Sequence, residues 1–530
     1  KEVARRCSEG GIRCLGPNCL GVISPSESLN ASFSATMPPP GNIAFFSQSG
    51  ALGTAVLDWF AGSDAQNLGI SRFVSYGNKA DIDEADLIDA LGTDPHTDVI
   101  LGYVESINDG QKFIDAAREV TAEKPVLILK SGRTAAGAAA ASSHTGSLAG
   151  SDAAYDAAFN QSGVVRTESV TEFFDYVLAF SRQAPPAGPG VAVVTNAGGP
   201  GILATDAIEN TALEMASLDA RTREKLEDKL PGGANTHNPV DVVGDARADR
   251  YRLAIEAVLD DTNVDSLLVI LTPQTSTEVQ ATASAIGEAA ERTEKPVLAS
   301  FMGSLSAARG SDILEAKDVP NYYHPERAVS TLDAMYRFRR WTQLQRRQPP
   351  QYEFERDQIE NVLEEAGASE TETLGERQAR GIIEACGLDL PGSQLATDEE
   401  EAVERAQQLG WPVVMKVSSD DILHKSDAGG VKVGLETPDE VRAAFRAILD
   451  SAHKYDPDAR IDGALVQEMI QGGTEVIVGM NRDPQFGPLI MFGLGGIYVE
   501  LLKDVAFRVA PLTEREAREM IEEIRSAGIL

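Results

Sequence analysis

His144 stands in the run SSHTGSLAG (142–150) with no apolar neighbour to bury it, in a chain that has only six histidines. An imidazole so placed is either a solvated surface group or a nucleophile kept accessible. Its loop, SGRTAAGAAAASSHTGSLAGSD (131–152), is long for an αβ connection and built of small residues, the composition of a segment that must move. A carboxylate, Glu105 in GYVESINDG (102–110), follows a core-type strand at its carboxyl end, where open α/β sheets hold ligands. Accepting from one ring nitrogen of His144, it would leave the other nucleophilic, as phosphoryl uptake requires. A helix N-cap or surface role for Glu105 is the competing reading.

Two further stretches align with each other, IAFFSQSGALGTA (43–55) and VAVVTNAGGPGIL (191–203), strand on strand and turn on turn. Each turn opens a helix, so that free N–H groups and the positive end of the helix dipole suit an anion. Ordinary αβ punctuation explains either turn alone. Two copies in related halves predict a pair of helices that clamp one phosphoryl group from opposite sides, through Ser49 and Gly50 on one and Gly198 and Gly199 on the other.

The elements that must position these groups are legible as a rhythm. After a Pro-rich joint at MPPPG (37–41), the runs NIAFF, RFVSY, VILGYV and PVLILK alternate with amphipathic segments, the signature of a parallel sheet with helices on both faces. A second joint, APPAGPG (184–190), restarts the rhythm with VAVVT, SLLVILT and PVLAS. A polar and then acidic stretch from about 340 to 372 reads as helix end plus linker. From about 373 the texture changes, and PVVMKV, ALVQEMI, TEVIVGM and LIMFGLGG read as strands of a mixed or antiparallel sheet.

At 530 residues several domains are expected. A formal charge of −34 argues against nucleic acid and anionic membranes as partners, because their phosphates would be repelled. Carboxylates spread along the whole chain suit solubility at high ionic strength, which points to a halophilic cytoplasm. Cys7, Cys14, Cys19 and Cys386 show no CxxC spacing, so neither zinc nor a disulfide framework is expected. No apolar run approaches the length of a membrane span. The chain opens at Lys1 in mid-pattern and closes within IEEIRSAGIL, so both ends read as incomplete.

The segments GPNCLGVISP (16–25), SQSGAL (47–52), YVESI (103–107), SSHTGSLAGSDAAYDAAF (142–159), NAGGPGILATDA (196–207) and HKSDAGGV (424–431) together resemble the ADP-forming acetyl-CoA synthetases. These are nucleoside-diphosphate-forming acyl-CoA synthetases related to succinyl-CoA synthetase, and an archaeal halophile fits the charge. The resemblance implies a multidomain α/β chain: the tail of a Rossmann-like CoA-binding domain (1–36), two flavodoxin-like parallel-sheet domains (37–185, with a phosphohistidine loop, and 186–345), a linker (346–372) and an incomplete ATP-grasp domain (373–530). It implies a reversible acid–thiol ligase: acyl-CoA and phosphate give an acyl phosphate, the phosphoryl group passes to His144, and the mobile loop delivers it to ADP. Acetate is the expected acid.

By the same resemblance Glu105 orients His144, His424 is a second, transient phosphoryl carrier, and Lys416, Glu468, Met469, Lys425 and Arg508 contact the nucleotide, with Glu475 near them. Asn18 matches a CoA-site turn, and Asn238 and Asp241 match a loop near the active site, although Asn-Pro turn chemistry also accounts for Asn238. ATP/ADP, Mg²⁺ and CoA as substrate are the implied cofactors, the family's metal ligands falling past Leu530. Acyl-CoA, ADP and phosphate are the implied partners, and the implied assembly is a homo-oligomer, a dimer, in the cytoplasm. Two readings compete: the acyl-CoA-sensing regulatory region of a protein lysine acetyltransferase, which would lack the carrier histidine, and a plain nucleotide- or CoA-binding protein.

Overall fold

The strand-like runs pair as their patterns require. A computed structural model describes the chain except residues 1, 63–67, 135, 138–150, 345–347, 369–372, 420, 423 and 497–503. The described chain divides into two units, Lys1–Gln348 with Val476–Gly528, and Pro349–Glu475 with Ile529 and Leu530.

The first unit holds a seven-stranded sheet of β1 (Gly21–Ser24), β2 (Leu29–Ser32), β3 (Pro40–Ser47), β4 (Ile70–Ser75), β5 (Val99–Val104), β6 (Val126–Lys130) and β7 (Val165–Thr167), in the order β2-β1-β4-β3-β5-β6-β7. The strands β4-β3-β5-β6-β7 are parallel. Ile43, Ala44, Phe45 and Phe46 on β3 have no exposed surface, as expected for a central strand covered on both faces. At one edge β1 and β2 join antiparallel, so the Pro-rich joint at 37–41 does not part residues 21–32 from this sheet.

The rhythm repeats in β8 (Gly190–Thr195), β9 (Glu214–Met215), β10 (Val240–Asp241), β11 (Ser266–Leu271) and β12 (Val297–Phe301), all parallel, with β8 between β10 and β11. Phe45, Leu57, Phe173, Val193, Ile208, Leu332 and Met335 belong to one continuous core, so helices such as Val170–Phe180 and Pro325–Gln343 cement the two sheets together.

In the second unit β13 (Ser393–Ala396), β14 (Val413–Ser418), β15 (Val431–Leu435) and β16 (Gly463–Glu468) form an antiparallel sheet in the order β13-β16-β14-β15. Residues Arg356–Ala368, read from sequence as linker, are helical. β17 (Val476–Asp483), β18 (Gly487–Leu494) and β19 (Val505–Val509) form a further antiparallel sheet, which packs within the first unit. There Phe486, Leu489 and Val509 share a core with Tyr155, Phe159 and Phe113. All four cysteines are free thiols.

Candidate active site

The first turn singled out in the sequence is built by its own side chains. Ser47 Oγ donates to the Ser49 carbonyl (2.7 Å), and Ser49 caps helix α1 (Gly50–Ala61) by accepting from the Leu52 N–H (3.3 Å). Gly50 and Ala51, whose N–H groups lack an intrahelical acceptor as the first of a helix, line a cavity of about 390 Å³. The cavity is also lined by Glu105, Gln48, Asn18 and Cys19. A glycine is needed one turn on: a Cβ at Gly53 would lie 2.9 Å from the Phe73 ring, so α1 seats directly on the sheet.

Glu105 reaches the cavity because it follows β5 immediately, and its backbone N–H donates to Gln48 Oε1 (2.9 Å) beside that of Ser106 (3.2 Å). Asn18 arrives from the N-terminal segment in a left-handed conformation, donating to Asn78 Oδ1 (3.3 Å). It fits because residue 77 is glycine: a Cβ there would sit 2.2 Å from the Asn18 carbonyl oxygen. The structure thus brings Glu105, Ser49, Gly50 and Asn18 together.

His144 lies outside the described residues, but both anchors of its loop are in place. At one end Lys130 closes β6, paired with Val104, the residue before Glu105. At the other, Ser151 caps α2 (Asp152–Ser162) and its N–H donates to Asp483 Oδ2 (3.2 Å). On α2 the Tyr155 hydroxyl donates to Gln485 Oε1 (2.7 Å) and accepts from the Ile107 N–H (3.0 Å), two residues past Glu105. The loop is therefore fastened at both ends beside the Glu105 turn.

Lys130 was not singled out in the sequence. It is 3% exposed, with its Nζ donating to the Ser131 carbonyl and lying 4.4 Å from the centre of the Tyr155 ring. Burial pushes its amine down to about 8, despite the opposing pull of Asp152. The signal was available, because VLILK ends an apolar strand in a lysine just as PVVMK does. Lys79 is likewise buried, paired with Glu84 (2.9 Å) and donating to the Ser106 carbonyl.

The second turn repeats the first. Thr195 Oγ1 donates to the Ala197 carbonyl (3.0 Å) ahead of α3 (Gly198–Glu209). A Cβ at Gly199 would meet nothing within 4 Å, and one at Gly198 only Asp241 Oδ2 at 3.6 Å, so the turn is open and has a carboxylate at its side. Asn238 braces the sheet, since its amide accepts from the Val193 N–H and donates to the Val191 and Ala216 carbonyls.

In the second unit Lys416 on β14, His424 and Lys425 line a cavity of about 410 Å³. Both lysines meet one carboxylate, Glu376 at the start of α4 (Glu376–Ala385); Lys416 Nζ is 3.6 Å from it and Lys425 donates to it directly. Glu468 pairs in register with Val413 and so takes the sheet face opposite Lys416, its carboxylate accepting from the Gly392 N–H (3.3 Å). Met469 donates its backbone N–H to the Pro412 carbonyl (3.4 Å). Arg508 belongs to the first unit, where it is 5% exposed and its guanidinium donates to Glu523 (2.7 Å) and to the Phe507 carbonyl (2.8 Å). Among the described residues no group of three or more His, Cys, Asp or Glu could hold a metal ion.

The chain thus holds two repeated parallel-sheet domains with helix starts open to an anion, and a separate sheet beside which Lys416 and Lys425 share Glu376. Family models agree: a succinyl-CoA ligase-like flavodoxin domain matches residues 40–180, a ligase-CoA domain 191–345 and an ATP-grasp domain 365–530. The chain is 43% identical to the ADP-forming acetate–CoA ligase I of Archaeoglobus fulgidus, over 100% of this chain and 75% of that protein. It is 40% identical to the ADP-forming 4-hydroxybutyrate–CoA ligase of Nitrosopumilus maritimus, over 98% and 74%. Among solved structures it is similar to the acetyl-coenzyme A synthetase 1 of Ca. Korarchaeum cryptofilum in complex with phosphate and ADP, with TM-score 0.62 and 38% identity over 64% of this chain and 74% of that one. The chain belongs to the family of ADP-forming acetate–CoA ligases.

Proposed function

We propose that this chain interconverts acyl-CoA, ADP and phosphate with carboxylic acid, CoA and ATP, and that acetate is the acid. In the direction of ATP formation a phosphate oxygen attacks the thioester carbonyl and CoA departs as its thiol, leaving acyl phosphate. A ring nitrogen of His144 then attacks phosphorus and the carboxylate leaves. Finally a terminal oxygen of ADP takes the phosphoryl group and frees the ring.

The observation that carries this reading is the cavity in which Glu105 stands beside the start of α1, between the two anchors of the histidine loop. Glu105 accepts from one imidazole nitrogen, and the first N–H groups of α1, at Ser49-Gly50, face the charge on the transferring group. Gly198 and Gly199 supply the second such helix start, and Asn18 contacts CoA. Lys416 and Lys425 meet the nucleotide phosphates, His424 passes the phosphoryl group on, and Glu468 and Met469 complete the nucleotide contacts in the second unit.

Mg²⁺ would neutralise part of the nucleotide's phosphate charge, and one or two carboxylates with the phosphates themselves would suffice to hold it. The relatives are named ligases across this chain's length, which sets the ligase reading ahead of an acetyltransferase regulatory region. No described helix is long and apolar enough to cross a membrane, and the reading includes a cytoplasmic homodimer, which light scattering on the purified chain tests.

The decisive experiment is quench-flow with ATP labelled in its terminal phosphate. The protein should acquire an acid-labile, base-stable label that peptide mapping places on His144 and that H144A lacks in that peptide. ATP synthesis by H144A at the parental rate would end the proposal.

A further inference from the structure

The pairing of Lys416 and Lys425 through Glu376 has a consequence for binding, and it rests on the nucleotide reading of that cavity. Two amines that could neutralise a polyphosphate share one tethered carboxylate, so much of their charge is spoken for before any ligand arrives. The three side chains line one cavity. An incoming diphosphate or triphosphate carries more negative charge than a single carboxylate and offers several acceptor oxygens, so it outcompetes Glu376 for both amines. The displaced carboxylate is not stranded: it sits on the first residue of α4, where the helix dipole favours an anion.

We propose that Glu376 is an internal stand-in for the nucleotide's phosphates: it holds Lys416 and Lys425 in the empty protein, is exchanged for the phosphate chain on binding, and thereby weakens nucleotide affinity. For a reversible reaction that must release the nucleotide it has just made, an anion waiting to reclaim the lysines speeds that release. It also keeps two like charges from facing each other across an empty cavity in the meantime. The state of Glu376 fits. Burial pushes its carboxyl up, yet the hydrogen bond from Lys425 and the charge of Lys416 outweigh this and hold it below its ordinary value.

The test is calorimetric titration of the whole chain and of Glu376→Gln with adenosine, ADP and ATP at fixed ionic strength. The exchange predicts that Glu376→Gln binds ADP and ATP roughly 5- to 10-fold more tightly, mainly through slower dissociation, with adenosine affinity unchanged. Glu376→Asp keeps the charge but shortens its reach, so it should lie between the two and stand in if Glu376→Gln does not fold. Equal or weaker ADP binding by the variants, with ADP binding intact in the parent, overturns the exchange alone and makes Glu376 an aligner of the lysines. A parental chain that binds neither ADP nor ATP overturns the nucleotide reading, and the exchange with it.

Discussion

Gln48 and Glu105 are joined through the backbone: the side-chain oxygen of Gln48 accepts the Glu105 N–H at 2.9 Å, so the turn that opens α1 and the turn that carries the carboxylate move as one piece. The second half of the repeat contains the same joint. Asn196 Oδ1 accepts the Thr272 N–H at 2.9 Å, and its Nδ2 donates back to the Thr272 carbonyl at 2.9 Å. The strand registers agree, with Ser47 opposite Tyr103 in one sheet and Thr195 opposite Ile270 in the other. Thr272 therefore occupies the place of Glu105, and only one copy of the repeat carries an acid at this position.

That asymmetry separates scaffold from chemistry. On the proposed mechanism Glu105→Gln keeps the size and the Gln48 joint but removes the charge that would steady the His144 imidazolium, so phosphohistidine formation should fall about 100-fold or more. Thr272→Ala should leave ATP formation within about threefold, as expected of a residue whose work is local hydrogen bonding. Initial rates of ATP synthesis from ADP, phosphate and acetyl-CoA decide it, and equal losses in the two variants would refute the assignment.

Lys130 links stability to pH. Its amine titrates near 8 in the folded protein and near 10.5 when exposed, with Asp152, Arg166, Glu105 and Lys79 as the charges around it and the Tyr155 ring against it. Between those values the unfolded chain binds the extra proton, so this group's contribution to stability rises with pH from about 8 and levels off near 10.5. Below 8 the buried charge is a net cost. Lys130→Met should thus raise the melting temperature at pH 7 and flatten its dependence on pH above 8; a lower melting temperature at pH 7 would show that the cation stabilises the loop's anchor.

Gly163 tests the seating of α2. It ends that helix in a left-handed conformation (φ 70°), and a Cβ would fall 2.4 Å from the Trp341 ring. Gly163→Ala should cost about 1–3 kcal/mol of stability, from backbone strain and displacement of the indole. Thermal unfolding reads the loss, and an unchanged melting temperature would mean that the ring moves aside freely.

What the sequence disclosed followed from periodicity and local chemistry. The runs around Phe45 and Val193 are apolar for four or more residues and end in turn residues, so the strands, the repeat and the helix starts were all legible. Glu105 stood out because a carboxylate closed an apolar strand. Other features depend on partners distant in sequence. β1 and β2 are short and join an edge antiparallel, which no local pattern specifies. Residues 476–528 belong with the first unit because Gln161 bonds to Val509 and Tyr155 to Gln485, contacts more than 300 residues apart along the chain. Glu376 is one of many exposed-looking acids until folding brings two lysines to it.

The acidity of the chain makes a last prediction, on salt. Its 81 carboxylates face 47 lysines and arginines, so unlike pairs such as Arg446–Glu399 and Arg442–Glu400 satisfy a part of the charge and the remainder repels itself. Raising ionic strength shortens the screening length from about 10 Å at 0.1 M to about 3 Å at 1 M, which weakens contact pairs little and distant repulsion strongly. Repulsion dominates at this imbalance, so the melting temperature should climb as KCl rises from about 0.1 to 1 M and change less beyond, where screening is nearly complete. KCl rather than sulfate isolates screening from solute exclusion. A melting temperature that falls over that range would mean that the exposed ion pairs outweigh the net charge, and the expectation of a halophilic home would lose its physical basis.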